Sequence, residues 1–311
     1  MKILLIAGGW SSERKISLSG ARAMEKTLLA RGHSVTFFDL LADFDNLLTA
    51  AAEHDFSFIN LHGAPGEDGL VQAMLDQAGL PYQGSGPAGS FLALHKAAAK
   101  QIFRQAGLPT ADWEYLPLPP EGSWQPRLPY PLFAKSNTGG SSLRMGQVRD
   151  RAELDAKLAE IFAAGDEALL ERKIKGREVT CGVLGEDPLP PVLIEPVGSS
   201  FFDYQNKYAV GGAREICPAP LSPPITAEVR KLALAAHRAL GLSGYSRADF
   251  ILAEDGELSL LEVNTLPGMT ATSLVPQEAK AVGLDFGDLL EKLMELGKPS
   301  VAAGSGFKPR A

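Results

Sequence analysis

Apolar runs and glycine-rich breaks alternate along the first third of the chain. The segment KILLIAGG is an uninterrupted apolar run closed by glycines, the pattern of a buried parallel strand entering a loop. From residue 17 to residue 30 apolar side chains recur at helical spacing, with Leu18, Ala21, Met24 and Leu28 available for one face, and Gly32 stops the run. Residues 35–38 and 56–61 predict two further strands, the second ending at His62 and Gly63, and residues 70–78 predict a helix closed by Gly79. This alternation predicts an open α/β unit over roughly residues 1–95, with ligands bound beyond the carboxyl ends of the strands. The glycine-bearing loops after the first and third strands fall there.

The pattern then changes. Residues 96–106 predict a helix ended by glycine, and a proline-rich stretch from Pro109 to Pro131 reads as a linker into a strand over 131–135. Beyond the loop SNTGGSS, a strand, a helix over 151–164 and a strand over 168–172 predict a small α+β unit ending near residue 176. Strands dominate from Arg177, over 178–184 and 192–196. Residues 198–222 are polar and aromatic without periodicity, which predicts a functional or moving loop. A helix over 225–240, two strands and a helix over 286–296 complete a third unit, 177–297, and residues 298–311 carry no packing pattern and predict a disordered tail.

The segment GYSRADFILAEDGELSLLEVNTLPG carries the sharpest chemistry. Asp255-Gly256 predicts a two-residue hairpin turn. That turn sets Asp249 opposite Glu262 and Arg247 opposite Asn264, all on one side, because residues two apart on a strand share a face. Leu260 falls on that side too, and Ala248, Phe250, Leu252, Leu261 and Val263 face inward. Facing carboxylates repel unless a cation lies between them, and oxygen donors without a neighbouring histidine or thiol suit Mg²⁺ or Mn²⁺. Asn264 adds a neutral oxygen and Arg247 a donor for phosphate or carboxylate. A solvated face with ordinary salt bridges fits the same alternation; the adjoining GMTATS, rich in backbone and hydroxyl donors, favours a site.

Composition narrows the function classes. The 311 residues are 45% hydrophobic and 22% charged, values of an ordinary soluble protein. A net charge of −7 argues against a nucleic-acid partner. No apolar run reaches membrane-spanning length and the N-terminus lacks the pattern of a signal peptide, so no membrane partner and a cytoplasmic location are expected. Two isolated cysteines, Cys181 and Cys217, give neither a zinc pattern nor a disulfide framework.

The loop KSNTGGSS follows a strand directly and offers exposed backbone N–H groups to a phosphate, although it also fits a plain surface turn; it is neither a P-loop nor a dinucleotide fingerprint. Lys96, Lys135 and the segment ERKIKGRE place positive charge in separate parts of the chain. Glu13 lies in the first loop and His62, Glu67 and Asp68 follow the third strand; residue chemistry alone leaves their roles open.

Taken together, GGWSSERKISLSG, HGAPGEDGLVQAMLDQAGLPYQGSG, KSNTGGSS, ERKIKGREVTCGVLG, DYQNKY, ICPAP, GYSRADF and LLEVNTLPGMTATSLVP resemble the D-alanine–D-alanine ligase family of the ATP-grasp superfamily, over residues 1 to about 296. The resemblance implies a three-domain α/β and α+β architecture: an open parallel-sheet domain that binds the first substrate, then two α+β domains that clasp ATP. It implies two D-alanine molecules and ATP as substrates, two Mg²⁺ or Mn²⁺ ions, and a homodimer. Glu13 resembles the carboxylate that binds the first ammonium, and His62 a first-subsite group. Lys96 and Lys135 resemble the phosphate-binding lysines. Ser141 and Ser142 belong to the loop that closes over the phosphates, Ser141 also positioning Glu13 and a tyrosine. Glu171, Lys173, Ile174 and Glu178 resemble the adenine and ribose contacts. Lys207 and Tyr208 belong to a covering loop. Arg247 resembles the arginine that stabilises the transferred phosphate, and Asp249, Glu262 and Asn264 the metal ligands. Gly268 resembles an oxyanion donor and Ser273 the contact for the second carboxylate.

Three positions depart from the family pattern: His95 stands where aspartate is common, Ser136 where proline is usual, and Arg144 where glycine is common. None removes a group the chemistry needs. A related ligase with D-serine or D-lactate as acceptor is the first alternative, and Tyr208 weighs against D-lactate, because ester-forming relatives tend to carry histidine there. A non-catalytic nucleotide-binding relative is the second; such proteins usually lose a metal ligand or the arginine, and all are present here.

Overall fold

The computed structural model describes residues 1–140, 144–197 and 212–297. Strands β1 (Lys2–Ala7), β2 (Ser34–Asp39) and β3 (Phe56–Asn60) form a parallel sheet in the order β2-β1-β3. The run ILLIA is buried throughout because the central strand is covered on both faces. Ile3, Leu5 and Ala7 pack with Ala21, Met24 and Leu28 of α1 (Arg14–Ala30), while Leu4 and Ile6 pack with Leu47 of α2 (Leu47–Ala51) and with Val71 and Leu75 of α3 (Leu70–Ala78). The period of two along the strand thus sorts one apolar run into two cores.

Helices α4 (Pro87–Leu94) and α5 (Lys96–Gln105) follow. A second, antiparallel sheet has the order β4-β7-β5-β6, from β4 (Trp113–Leu116), β5 (Leu132–Ser136), β6 (Gly146–Val148) and β7 (Ala168–Arg172). Helix α6 (Arg151–Ala163) covers it with Leu154, Leu158 and Ile161. Strand β4 lies inside the proline-rich stretch expected to be a linker.

The third sheet comprises β8 (Gly176–Leu184), β9 (Asp187–Pro188), β10 (Val192–Pro196), β11 (Ala213–Ile216), β12 (Tyr245–Ala253) and β13 (Leu258–Asn264). Its order is β11-β10-β8-β12-β13, with β9 on β8. Helix α7 (Pro223–Ala239) backs it with Val229, Leu232, Ala233 and Ala236. Two helices end the described chain, α8 (Leu274–Ala281) and α9 (Phe286–Gly297). Helix α9 packs Leu289, Leu290, Leu293 and Met294 into the core shared by Ile3, Leu5 and Phe58. Arg31–Asp285 (2.7 Å) and His33–Glu291 (2.7 Å) contacts tie the two ends together. Among the described residues no helix is long and apolar enough to cross a membrane.

The β12–β13 hairpin corrects its expected turn. Gly256 donates its N–H to Ala253 O (3.0 Å) and Ala253 to Glu257 O (2.8 Å), so Glu254, Asp255 and Gly256 form the connection, with Gly256 at φ 90°. That places Leu252 opposite Leu258 and Phe250 opposite Leu260, one residue off the expected register. A bulge between Asp249 and Phe250 then leaves Leu261 as an extra residue, and Asp249 pairs with Glu262 and Arg247 with Asn264. The two shifts cancel at the site but exchange the leucines. Leu260 is fully buried in the core with Phe250, and Leu261 lines the cleft. A bulge turns two successive side chains toward one face, which is how Leu261 and Glu262 both reach it.

Candidate active site

Two cavities meet at the carboxylate strands. The larger, about 400 Å³, lies between the second and third sheets and is lined by Lys96, Phe133, Lys135, Glu171, Lys173, Ile174, Glu178, Asp249 and Glu262, among others. The smaller, about 320 Å³, reaches the first sheet and is lined by Glu13, His62, Glu67, Arg247, Asn264, Gly268 and Ser273, among others. Gly140, Glu178, Ile194, Asp249 and Glu262 belong to both walls, so a group placed in one lies beside a group placed in the other.

Asp249 is held on three sides. Arg247 donates to its two oxygens through Nε (2.8 Å) and a terminal nitrogen (2.7 Å), Thr180 from the neighbouring strand donates at 2.6 Å, and the Asn264 amide at 3.0 Å. Burial opposes the charge on Arg247, but Asp249 outweighs it and raises the guanidinium above its already high range. Lys96 Nζ lies 3.3 Å from Glu262 and donates to Gly139 O at 2.7 Å, joining β13 to the glycine loop. Two carboxylates and a neutral amide are hard oxygen donors. That set fits Mg²⁺, which takes one or two carboxylates and completes its shell with phosphates and water. Among the described residues no group of three or more His, Cys, Asp or Glu side chains is gathered to hold a metal alone.

Lys135 Nζ lies 2.5 Å from Glu171, and Lys100 Nζ 2.5 Å from its other oxygen. Burial pushes the Glu171 carboxyl up, but the two lysines outweigh it and hold it below its usual range. Lys173 donates to Gln147 at 2.6 Å, bridging β6 and the segment after β7. In the smaller cavity desolvation lowers the His62 pKa against the opposing pull of Glu13. Desolvation and the nearby Glu13 charge push Glu67 up to about 7. The loop bearing Gly140 comes so close to Glu13 that a Cβ there would sit 3.1 Å from its carboxylate. Ser273 caps the turn before α8, its hydroxyl accepting from Thr270 N–H at 3.1 Å and lying 3.0 Å from where a Gly268 Cβ would stand.

Of the expected site residues, Ser141, Ser142, Lys207 and Tyr208 lie outside the described residues, as does the 298–311 tail. The family departures have local explanations. His95 caps α5, its ring accepting from Ala98 N–H at 3.2 Å, as an aspartate would. The Ser136 hydroxyl is hydrogen-bonded to Asp166, which also accepts from Thr138 at 2.9 Å. Arg144 takes φ 51°, the region glycine occupies freely. Sequence reasoning missed Thr180 and Lys100. Thr180 is visible only through the β8–β12 register that pairs it with Asp249. Lys100 is one helical turn beyond Lys96, a spacing that reads equally well as a solvated face.

Two sheets closing over a cleft walled by paired carboxylates and lysines define an ATP-grasp fold. The model of the D-ala D-ala ligase C-terminus matches residues 102–295. A D-alanine–D-alanine ligase of Desulfovibrio desulfuricans is 72% identical over 297 residues, covering 96% of this chain and 97% of its own. A D-alanine–D-alanine ligase from Bacillus anthracis complexed with ATP superposes with a TM-score of 0.85 at 33% identity, covering 96% and 97% of the two chains. The VanG D-Ala:D-Ser ligase from Enterococcus faecalis gives 0.79 at 28% identity, with 96% and 99% covered. The chain belongs to the D-alanine–D-alanine ligase family.

Proposed function

We propose that this protein joins two D-alanines to D-alanyl-D-alanine at the expense of ATP, releasing ADP and phosphate, for peptidoglycan precursor synthesis. The observation that carries this reading is the shared wall of the two cavities, where Asp249, Glu262 and the adjoining Arg247 stand between a nucleotide-sized and an amino-acid-sized space. The larger cavity takes ATP: Lys96 and Lys135 meet the phosphates, and Glu171, Lys173, Ile174 and Glu178 surround adenine and ribose. The smaller takes the amino acids: Glu13 receives the first ammonium beside His62, and Ser273 the second carboxylate. Ser141, Ser142, Lys207 and Tyr208, which the family resemblance assigns to the phosphates and the cover of the site, lie outside the described residues.

The carboxylate oxygen of the first D-alanine attacks the γ-phosphorus, the bond to the ADP oxygen breaks, and an acylphosphate forms. The neutral amine of the second D-alanine attacks the acyl carbon, and phosphate departs with the former carboxylate oxygen. Arg247 and the Gly268 N–H offset the charge that develops on the phosphoryl and acyl oxygens. Asp249, Glu262 and Asn264 hold two Mg²⁺ or Mn²⁺ ions, which when bound supply positive charge to the polyphosphate. Closure over the cleft keeps water from the acylphosphate.

On this reading residues 1–95 bind the first substrate, 96–176 and 177–297 clasp the nucleotide, and two copies associate as a homodimer. The likeness to a D-Ala:D-Ser ligase places D-serine on the acceptor panel. The test supplies ATP, Mg²⁺ and D- and L-amino acids, singly and each together with D-alanine, follows nucleotide products, and identifies the ligation product by mass. D-Alanine should give ADP and dialanine. AMP as product, or equal turnover with L-alanine, contradicts the reading.

A further inference from the structure

Lys100 is fully buried, yet its ammonium does not face either cavity. It shares Glu171 with Lys135, each ammonium 2.5 Å from a different carboxylate oxygen. Its ammonium has a second, uncharged contact. Lys100 Nζ donates to the Thr110 hydroxyl at 2.5 Å, and that hydroxyl donates to Leu260 O at 2.8 Å, beside the bulge that carries Glu262. Taking charges out of water is costly, and a buried ion pair is often no more stable than an apolar cluster of the same volume. A second buried lysine on one carboxylate therefore calls for a reason other than stability.

Charge counting supplies it. Burial lowers the Lys100 pKa and Glu171 pulls it back up; with both lysines protonated, two ammoniums on one carboxylate leave one positive charge uncancelled. Lys135 and Glu171 line the larger cavity and Lys100 does not, so the surplus is presented to the cavity by Lys135. With Lys100 absent, Glu171 would be matched by Lys135 alone and the charges of that pair would cancel. We propose that Lys100 is a positioning residue for the nucleotide: by occupying one oxygen of Glu171 it leaves the charge of Lys135 available to the phosphates. This rests on the reading of the larger cavity as the ATP site.

The test compares Lys100→Met, Thr110→Val and Lys135→Ala with the unaltered protein, measuring the Kd of Mg²⁺-ATP and the inhibition constant of adenosine, which lacks phosphates. Circular dichroism checks folding. If K100M does not fold, Lys100→Gln, which keeps a polar end without the charge, takes its place. K100M should weaken ATP by about tenfold, the size of one hydrogen bond to a charged group, and change adenosine by less than about twofold. T110V removes a hydrogen bond from the same buried cluster without altering its charge, and should leave ATP affinity within about twofold. Equal losses for ATP and adenosine in K100M, or a T110V loss as large as that of K100M, would show general loosening and overturn the proposal. Unchanged ATP affinity in K100M while K135A loses it overturns the proposal alone. Unchanged affinity in K135A as well overturns the nucleotide reading of the cavity, and the proposal with it.

Discussion

Asp249 and Glu262 face each other across β12 and β13, yet each meets a different cation: Arg247 grips Asp249 at 2.8 and 2.7 Å, and Lys96 lies 3.3 Å from Glu262. Asp249 is the more deeply buried of the two, and Glu262 is the more exposed to the cleft.

Replacing the more exposed carboxylate should separate chemistry from folding. Glu262→Gln (E262Q) keeps the shape, so the melting temperature should move little. Turnover should fall by at least about a hundredfold, the scale of losing an electrostatic contact to the reacting groups. A Mg²⁺ titration of activity reads the result. Wild-type turnover and Mg²⁺ dependence in E262Q would remove the carboxylate pair from the proposed site.

The strain at Arg144 gives a prediction of opposite sign. It is the only non-glycine residue with positive φ among the described residues, at 51°, and its buried Nε lacks a hydrogen-bond partner among them. A left-handed non-glycine residue costs roughly 1–2 kcal/mol, part of which glycine returns as unfolded-chain entropy. Arg144→Gly (R144G) should therefore stabilise the protein by about 0.5–1 kcal/mol in urea unfolding. A lower urea midpoint would show that Arg144 makes a compensating contact.

Glu278 links stability to pH. It is fully buried on α8, accepts the Gly182 N–H with both oxygens at 3.0 Å, and faces charges at Arg247 and Asp249. Burial pushes its carboxyl up to about 8. Between the ordinary glutamate value and 8 the folded protein holds a proton that the unfolded chain releases, so this residue's contribution to stability falls as pH rises through that window. Glu278→Gln (E278Q) should match wild type near about pH 5 and exceed it in melting temperature above about pH 8. A difference independent of pH would mean that Glu278 stays charged when folded.

The hairpin shows both what the sequence makes visible and where it stops. The polar positions Arg247, Asp249, Glu262 and Asn264 mark one face whatever the turn, and that alternation makes the pairing readable. The turn itself is ambiguous, because Asp255-Gly256 suits both a two-residue connection and the end of a three-residue one with glycine at positive φ. Leu260 and Leu261 are chemically equivalent, so nothing in the pattern marks which one is the bulge. Helix α4, PAGSFLAL, is apolar nearly throughout and shows no helical contrast. Helix α8 carries Pro276 in its first turn and reads as a break, although proline is tolerated there. Strands β4 and β11 are too short to stand out from their proline-rich and polar surroundings. Lys100 was invisible because burial of a lysine depends on a carboxylate far away in sequence, Glu171.

The central claim is that a carboxylate oxygen of the first D-alanine becomes part of the released phosphate. D-Alanine labelled with ¹⁸O in its carboxylate, supplied with ATP and Mg²⁺, tests this directly by mass analysis of the phosphate. One labelled oxygen should appear in each phosphate released, in step with dipeptide. Unlabelled phosphate formed together with dipeptide would contradict the acylphosphate route.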